Sequence, residues 1–368
     1  MSIYVEILVR APMESLWDRT QTPSLHERWD LRFSRIEYLP KSHPGEPQRF
    51  RYATRIGFGL GVSGEGETVG NRGLLDGSCT SALTFGSYDG LSIIREGSGY
   101  WNYMPTGEGI RFVTWYDYRT RFGVPGALFD RLVFRPLLGW ATAWSFDRLR
   151  LWIERGLDPA VAMRQAMIHL VTRLALAAIF IYQGAVPKLV ARHVDEMSML
   201  RNAGVPPAFT DMALNVLAGA ELAVAAALLL AWRRRWPALL CLAAMPIGTA
   251  VVALGSPRFF AAAFNPFSLN LAVAALAAID LLVFAGVPTA ARCLRRPPAV
   301  VPRLPRRRAP WWAPRPARSS ALQPRLAQPW AQRPRARSLG LGLARLARRR
   351  RRALPCRPGS LPAGKTCD

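Results

Sequence analysis

Four long apolar runs constrain this chain more than any other feature of its sequence. They cover roughly 172–190, 214–232, 237–255 and 267–286, separated by short segments rich in Pro, Gly and charge. Each is about the length that crosses a hydrocarbon core ~30 Å thick as an α-helix. A core helix of a soluble protein is usually shorter and keeps one polar stripe. Residues 214–232 and 271–284 have almost none. The region 166–290 therefore reads as an all-α bundle of four transmembrane helices. A globular domain, 1–160, precedes it, and a basic tail, 297–368, follows.

The N-terminal segment alternates like a sheet protein. IYVEILV, 3–9, reads as a first strand, followed by a short helix over 13–19 with Leu16 and Trp17 on one face. Strand-like runs follow at 32–39, 49–56, 65–69, 81–85, 92–100 and 111–121, punctuated by Gly, Pro, Asn and Asp at turn spacing. SFDRLRLWIE, 145–154, closes the domain as an amphipathic helix, with Phe146, Leu149, Trp152 and Ile153 inward and Asp147, Arg148, Arg150 and Glu154 on the rest. A curved antiparallel sheet on a long C-terminal helix is an α+β, helix-grip fold that commonly encloses an apolar cavity. The stretch VEILVRAPMESLWDRTQTPSLHERWD resembles the opening of SRPBCC (START-like, polyketide-cyclase-like) domains, where a strand ending in Ala-Pro leads to a Trp-bearing helix and then a Trp-Asp. That resemblance implies a pocket for a hydrophobic small molecule, with catalysis varying from member to member.

Tyr52, Tyr100, Trp101, Tyr103, Trp115, Tyr116 and Tyr118 are the candidate ligand-binding residues. Aromatic side chains with polar tips can hold and orient a ring or a lipid chain. The plainer reading is that half of them pack in the core and half face outward. Asp117, Arg119 and Arg121 lie at period two and share one sheet face, expected to point outward. No catalytic constellation is present, so the chain reads as a binding protein, with turnover left open by the sequence. His26 and His43 lie in loop-like sequence without a nucleophile nearby and are expected at the surface. The glycines of GFGLGVSGEG, 57–66, lack the strand-before, helix-after context of a dinucleotide fingerprint. Cys79, Cys241, Cys293, Cys356 and Cys367 are scattered, so neither a disulfide framework nor a metal site is indicated. No cofactor is implied. The stretch 123–156 is very apolar yet studded with Arg, which suits both a core helix and a segment lying in the membrane interface.

Polar residues at membrane depth are the second group of candidates: Arg173, Tyr182, Gln183, Lys188, Glu221, Asn270 and Asp280. Such groups are costly against lipid and should face the bundle interior. Glu221, Gln183 and Asn270, with Arg173, read either as one polar site or as helix–helix glue, with Glu221 expected to serve a function or a specific pairing. Asp280 is read as structural, close enough to the helix end to reach the headgroups. Gly219 and the alanines around it are expected to allow close helix approach. YQGAVPKLV, AGAEL and FNPFSLNLAVAALAAID resemble DoxX-like four-span membrane proteins, over about 172–286. That resemblance implies a small integral membrane protein, sometimes linked to an oxidoreductase or quinone system. The basic residues cluster before the first run, between the second and third, and after the fourth. The positive-inside rule then places both termini in the cytoplasm of a cell inner membrane. The opening MSIYVEILV has no basic n-region and agrees with that placement.

The tail carries 17 Arg and one Lys against one Asp, so +17 of the chain's net +25 belongs to it. Such a segment is expected to be disordered. Two readings stay open: a membrane-adhering basic tail, or a shifted reading frame in GC-rich DNA. Specific nucleic-acid binding has no fold to support it. The expected partners are the lipid bilayer, a hydrophobic small molecule (a lipid or quinone-like compound), and a membrane or oxidoreductase partner protein. Two alternatives are a subunit of a redox or quinone-linked system and a docking partner for another enzyme.

Overall fold

The computed structural model describes residues 2–57, 59–73, 77–263 and 265–297. The basic tail expected over 297–368 lies outside them, apart from Pro297.

The N-terminal chain begins with β1 (Ile3–Val9), α1 (Met13–Gln21) and α2 (Pro23–Trp29). Six more strands follow: β2 (Arg35–Tyr38), β3 (Gln48–Gly57), β4 (Leu60–Gly73), β5 (Cys79–Gly86), β6 (Ile94–Thr106) and β7 (Gly109–Thr120). They form one antiparallel sheet in the order β1-β7-β6-β5-β4-β3-β2. The first strand pairs with the last, Val5 opposite Thr114. Period-two alternation puts Ile3, Val5, Ile7 and Val9 on one buried face of β1, and Phe112, Thr114, Tyr116 and Tyr118 on the matching face of β7.

The long helix α4 (Arg135–Arg155) lies across this face, with the Phe146 ring stacked on Phe112 at 4.5 Å between centroids. It begins ten residues before the expected 145, because α3 (Gly123–Phe129) runs through a π-type turn, Asp130–Phe134, straight into it. Asp130 ties that turn down by accepting from the Tyr118 hydroxyl (2.6 Å) and from Arg135 Nε (2.7 Å). On the polar side of α4, Asp147, Arg148 and Arg150 are also buried. Asp147 accepts from the backbone N–H of Thr289 (2.7 Å), and Arg148 donates to the carbonyl of Pro159 (2.8 Å). The helix is thus sandwiched between the sheet and the segments that flank the membrane domain.

Four helices are long and apolar enough to cross a membrane, spanning Pro159–Val190, Pro207–Leu230, Trp236–Gly255 and Pro266–Gly286. The first comprises α5 (Pro159–Gln183) and a π-type continuation through Gly184–Val190. Asp158 caps it by accepting from Ala160 N at 2.7 Å. Thirty-two residues of helix reach about 48 Å, well beyond a ~30 Å hydrocarbon core. The first turns of α5 pack on the sheet domain, with Met163 and Ala166 against its core. A short helix α6 (Val194–Asn202) precedes α7 (Thr210–Leu230), α8 (Trp236–Gly255) and α9 (Pro266–Val283). Leu176, Phe180, Leu228, Cys241, Val273 and Ala277 form the bundle core. The close approach of helices falls at Ala218 among the expected small residues, and not at Gly219. Gly219 faces open space, whereas a Cβ on Gly184 would lie 3.0 Å from the Ala218 carbonyl oxygen of α7. After the fourth span the chain returns to the sheet, where Leu294 and Glu6 exchange backbone hydrogen bonds at 2.9 Å and cover the open edge of β1.

Candidate functional site

Between sheet and helix lies a cavity of about 270 Å³, lined mainly by apolar and aromatic side chains. Of the expected aromatic residues, Tyr52, Tyr100, Trp101 and Tyr116 contribute to its wall. Tyr103 does not. It is fully buried behind Trp17, its hydroxyl fixed by Thr20 Oγ1 (2.7 Å) and Gln21 Nε2 (2.9 Å). Tyr118 is committed to Asp130. Trp115 pairs across strands with Tyr100, their rings stacked at 5.9 Å. Burial pushes the Tyr52 phenol up to about 12, so it stays a neutral donor, to the carbonyl of Gly86 at 3.2 Å.

The glycine-rich stretch has a packing explanation. A Cβ on Gly64 would sit 2.3 Å from the Tyr52 ring, and one on Gly66 would sit 2.4 Å from the ring of Phe50. These glycines give large rings on β3 room to lie flat across β4.

Sequence reasoning missed the polar group of this cavity. His26 is not a surface loop residue. It sits on α2, buried, stacked on Trp29 at 4.8 Å, with Phe33 and Trp101 edge-on. Its Nε2 lies 3.0 Å from Asp30 Oδ2, and Arg32 donates to the same carboxylate through Nε (2.9 Å) and Nη2 (2.6 Å). Burial alone would raise the Asp30 carboxyl, but the Arg32 guanidinium and the His26 bond outweigh it and hold the carboxyl well below the usual carboxylate range. His26, Arg32 and Tyr116 all line the cavity. The i,i+4 spacing of His26 and Asp30 was the available signal. A largely apolar chamber with a fixed guanidinium and imidazole in its wall can take a ring or chain and orient its polar head. His43 is exposed, as expected.

On the other sheet face Arg119 pairs with Glu96 at 3.0 Å, and Arg51 with Glu65 at 3.1 Å. Asp117 bridges to Arg135 at 2.9 Å, and Arg121 donates to the carbonyls of Asp89 and Ser87. These charges satisfy one another or face solvent.

The structure does not assemble the intramembrane residues into one site. At the bundle end beside the sheet domain, Arg173 donates through Nε to Asp280 Oδ2 (3.0 Å) and through Nη2 to the carbonyl of Arg234 (2.6 Å). His169, not singled out from the sequence, lies 2.6 Å from Asp280 Oδ1 and 3.2 Å from the carbonyl oxygen of Trp232. Asp280 therefore does not reach toward headgroups; it is fully buried among donors. At the far end Lys188, itself buried, contacts Glu221 at 3.1 Å, Glu196 at 3.3 Å and the carbonyl of Gln183 at 3.3 Å. Arg173 and Gln183 are ten residues apart on α5, about 15 Å, which keeps the clusters separate. Asn270 donates to Thr249 at 3.0 Å between α8 and α9. Tyr182 is 60 % exposed on the outer surface of the bundle. Among the described residues no group of three or more His, Cys, Asp and Glu could hold a metal ion.

Residues 177–278 match the model of the DoxX-like family. The chain is 52 % identical over 183 residues to the uncharacterized membrane protein YndG of Bacillus subtilis (strain 168), covering 50 % of this chain and 68 % of that protein. Solved structures similar to it include a STAR-related lipid transfer protein from Xanthomonas axonopodis, at 14 % identity and a TM-score of 0.33, covering 42 % of this chain and 86 % of that one. Another is a protein from Thermus thermophilus, at 18 % identity and a TM-score of 0.31, covering 41 % of this chain and 97 % of that one.

Proposed function

Because the chain belongs to the same family as the membrane protein YndG and carries a DoxX-like match over residues 177–278, we propose that it is a multi-pass protein of the inner membrane whose sheet domain holds a hydrophobic small molecule at the membrane surface. In this reading residues 1–160 are the ligand-binding domain, and 166–290 localise it and let the ligand exchange with the bilayer. The observation that carries the proposal is the cavity itself: about 270 Å³, lined mainly by apolar and aromatic side chains, with Arg32 and His26 in its wall. That geometry suits a lipid or quinone-like molecule whose tail or ring fills the chamber and whose polar head meets the guanidinium. Both termini lie in the cytoplasm on this reading. Arg233, Arg234 and Arg235 of the α7–α8 turn, and Arg292, Arg295 and Arg296 after α9, support it through the positive-inside rule.

The test is native mass spectrometry of the full-length protein extracted gently from its own membrane, followed by release of any bound small molecule. A stoichiometric hydrophobic compound is the expected result, lost when Leu83→Trp fills the chamber. Protein that emerges empty from every extraction refutes the proposal.

A second reading, membrane redox or proton chemistry at Glu221, is favoured by one observation. Oε2 of Glu221 is buried without a hydrogen-bond partner among the described residues, beside Lys188. Membrane redox activity left untouched by Glu221→Gln counts against it.

A further inference from the structure

At the junction of sheet domain and bundle, a groove of about 790 Å³ runs between α4, α5, the α7–α8 turn and the segment after α9. Six guanidinium groups line it: Arg150, Arg155, Arg233, Arg235, Arg292 and Arg295. Among the described residues, the only carboxylate in its wall is Asp147. That carboxylate is already engaged by Arg150 Nε (2.7 Å), by the Thr289 N–H (2.7 Å) and, at 3.8 Å, by Arg292. Arg155, Arg233, Arg235 and Arg295 have no carboxylate within ion-pair distance among the described residues.

Arg150 carries an unpartnered donor. Its side chain is 8 % exposed, and Nε and Nη1 are taken by Asp147 and Glu154. Nη2 is buried with no hydrogen-bond partner among the described residues. A buried donor left unmade is costly, and here it belongs to a residue that lines the groove. The groove floor has a different character. Met167 and Leu170 on the first span and Trp140 on α4 are exposed apolar side chains. Trp232 and Phe284, at the ends of the second and fourth spans, complete it. An apolar floor that includes exposed side chains of the first span, under a rim of six guanidinium groups of which four have no carboxylate partner among the described residues, is complementary to one kind of molecule.

We propose that this groove binds the headgroup of one anionic phospholipid, its phosphodiester held by the Arg rim and its acyl chains lying along Met167 and Leu170. Guanidinium forks suit phosphate oxygens, and basic pockets between membrane helices at the headgroup level bind acidic lipids. The site is distinct from the sheet–helix cavity and does not depend on its being occupied.

The test uses the full chain in nanodiscs of equimolar dioleoylphosphatidylglycerol and dioleoylphosphatidylcholine, with lipid retention read by native mass spectrometry. The wild type is expected to keep one phosphatidylglycerol and no phosphatidylcholine. Arg233→Gln with Arg235→Gln should weaken that retention about thirtyfold, and the matching double Lys variant should restore it. If the double Gln variant no longer elutes as a single species, Arg295→Gln alone carries the same direction. Equal retention of both lipids, or retention unchanged in the Gln variants, overturns the proposal. Displacement of the lipid by millimolar inorganic phosphate or glycerophosphoglycerol overturns the lipid assignment in favour of a soluble phosphate.

Discussion

Arg173 of the first membrane helix and Asp280 of the fourth meet at 3.0 Å, and neither side chain has any exposed surface. Their contact is the centre of a larger joint. The same guanidinium reaches Leu228 O (3.2 Å) and Arg234 O (2.6 Å), so it also satisfies carbonyls in the last turn of α7 and in the α7–α8 turn. One residue thus fastens three spans together at the end beside the sheet domain.

Removing the acid from that joint should be severe. Asp280→Asn leaves Arg173 charged and buried without its counterion, a change that costs about 3–5 kcal/mol. The check is thermal unfolding of the detergent-solubilised protein. Combining it with Arg173→Met should recover part of the loss, since an apolar pair of similar volume removes the buried charge altogether.

The far cluster should respond asymmetrically. Lys188 is the cation shared by Glu221 and Glu196, so Lys188→Met should destabilise the bundle by about 3–5 kcal/mol. Glu221→Gln keeps Lys188 paired with Glu196 and should cost about 1–2 kcal/mol. Equal losses in a denaturant titration would contradict the shared-cation arrangement.

Asp30 sets an acid limit on the sheet domain. Its folded carboxyl is held below the usual range, so the wild type binds fewer protons there when folded than when unfolded. Its contribution is therefore fully present above the unfolded value of about 3.9 and falls away as pH drops below it. Asp30→Asn should be less stable at neutral pH, and its unfolding free energy should fall less steeply below about pH 4. Tryptophan fluorescence against pH and urea reads both.

Two glycines of β4 should differ sharply. Gly64→Ala drives a methyl into the Tyr52 ring and the Gly86 carbonyl, and should cost about 1–3 kcal/mol. Gly70→Ala meets nothing within 4 Å and should change the melting temperature little.

The membrane helices and the alternating strands were legible because hydrophobic period and run length are local properties of the chain. The closing helix was legible only in part. Residues 145–154 read as amphipathic, but the burial of Asp147, Arg148 and Arg150 depends on Pro159 and Thr289, which pack over them from elsewhere in the chain. His26 misled for the same reason. A histidine beside proline and charge looks like a loop residue until Trp101, 75 positions later, closes over it.

The sequence by itself determined that this protein has an alternating sheet domain with a helix behind it, four spans, and a strongly basic end. Apolar surface must leave water wherever it lies, and spacing alone decides which face that is. Only the tertiary structure decided which polar groups meet. Arg173 finds Asp280 and not Glu221, His26 enters the cavity and Tyr103 leaves it, and six guanidinium groups from α4, the α7–α8 turn and the segment after α9 converge on one groove. Charge pairing and hydrogen bonding act over a few ångströms, and distances of that order between residues a hundred positions apart exist only once the helices and sheet have packed.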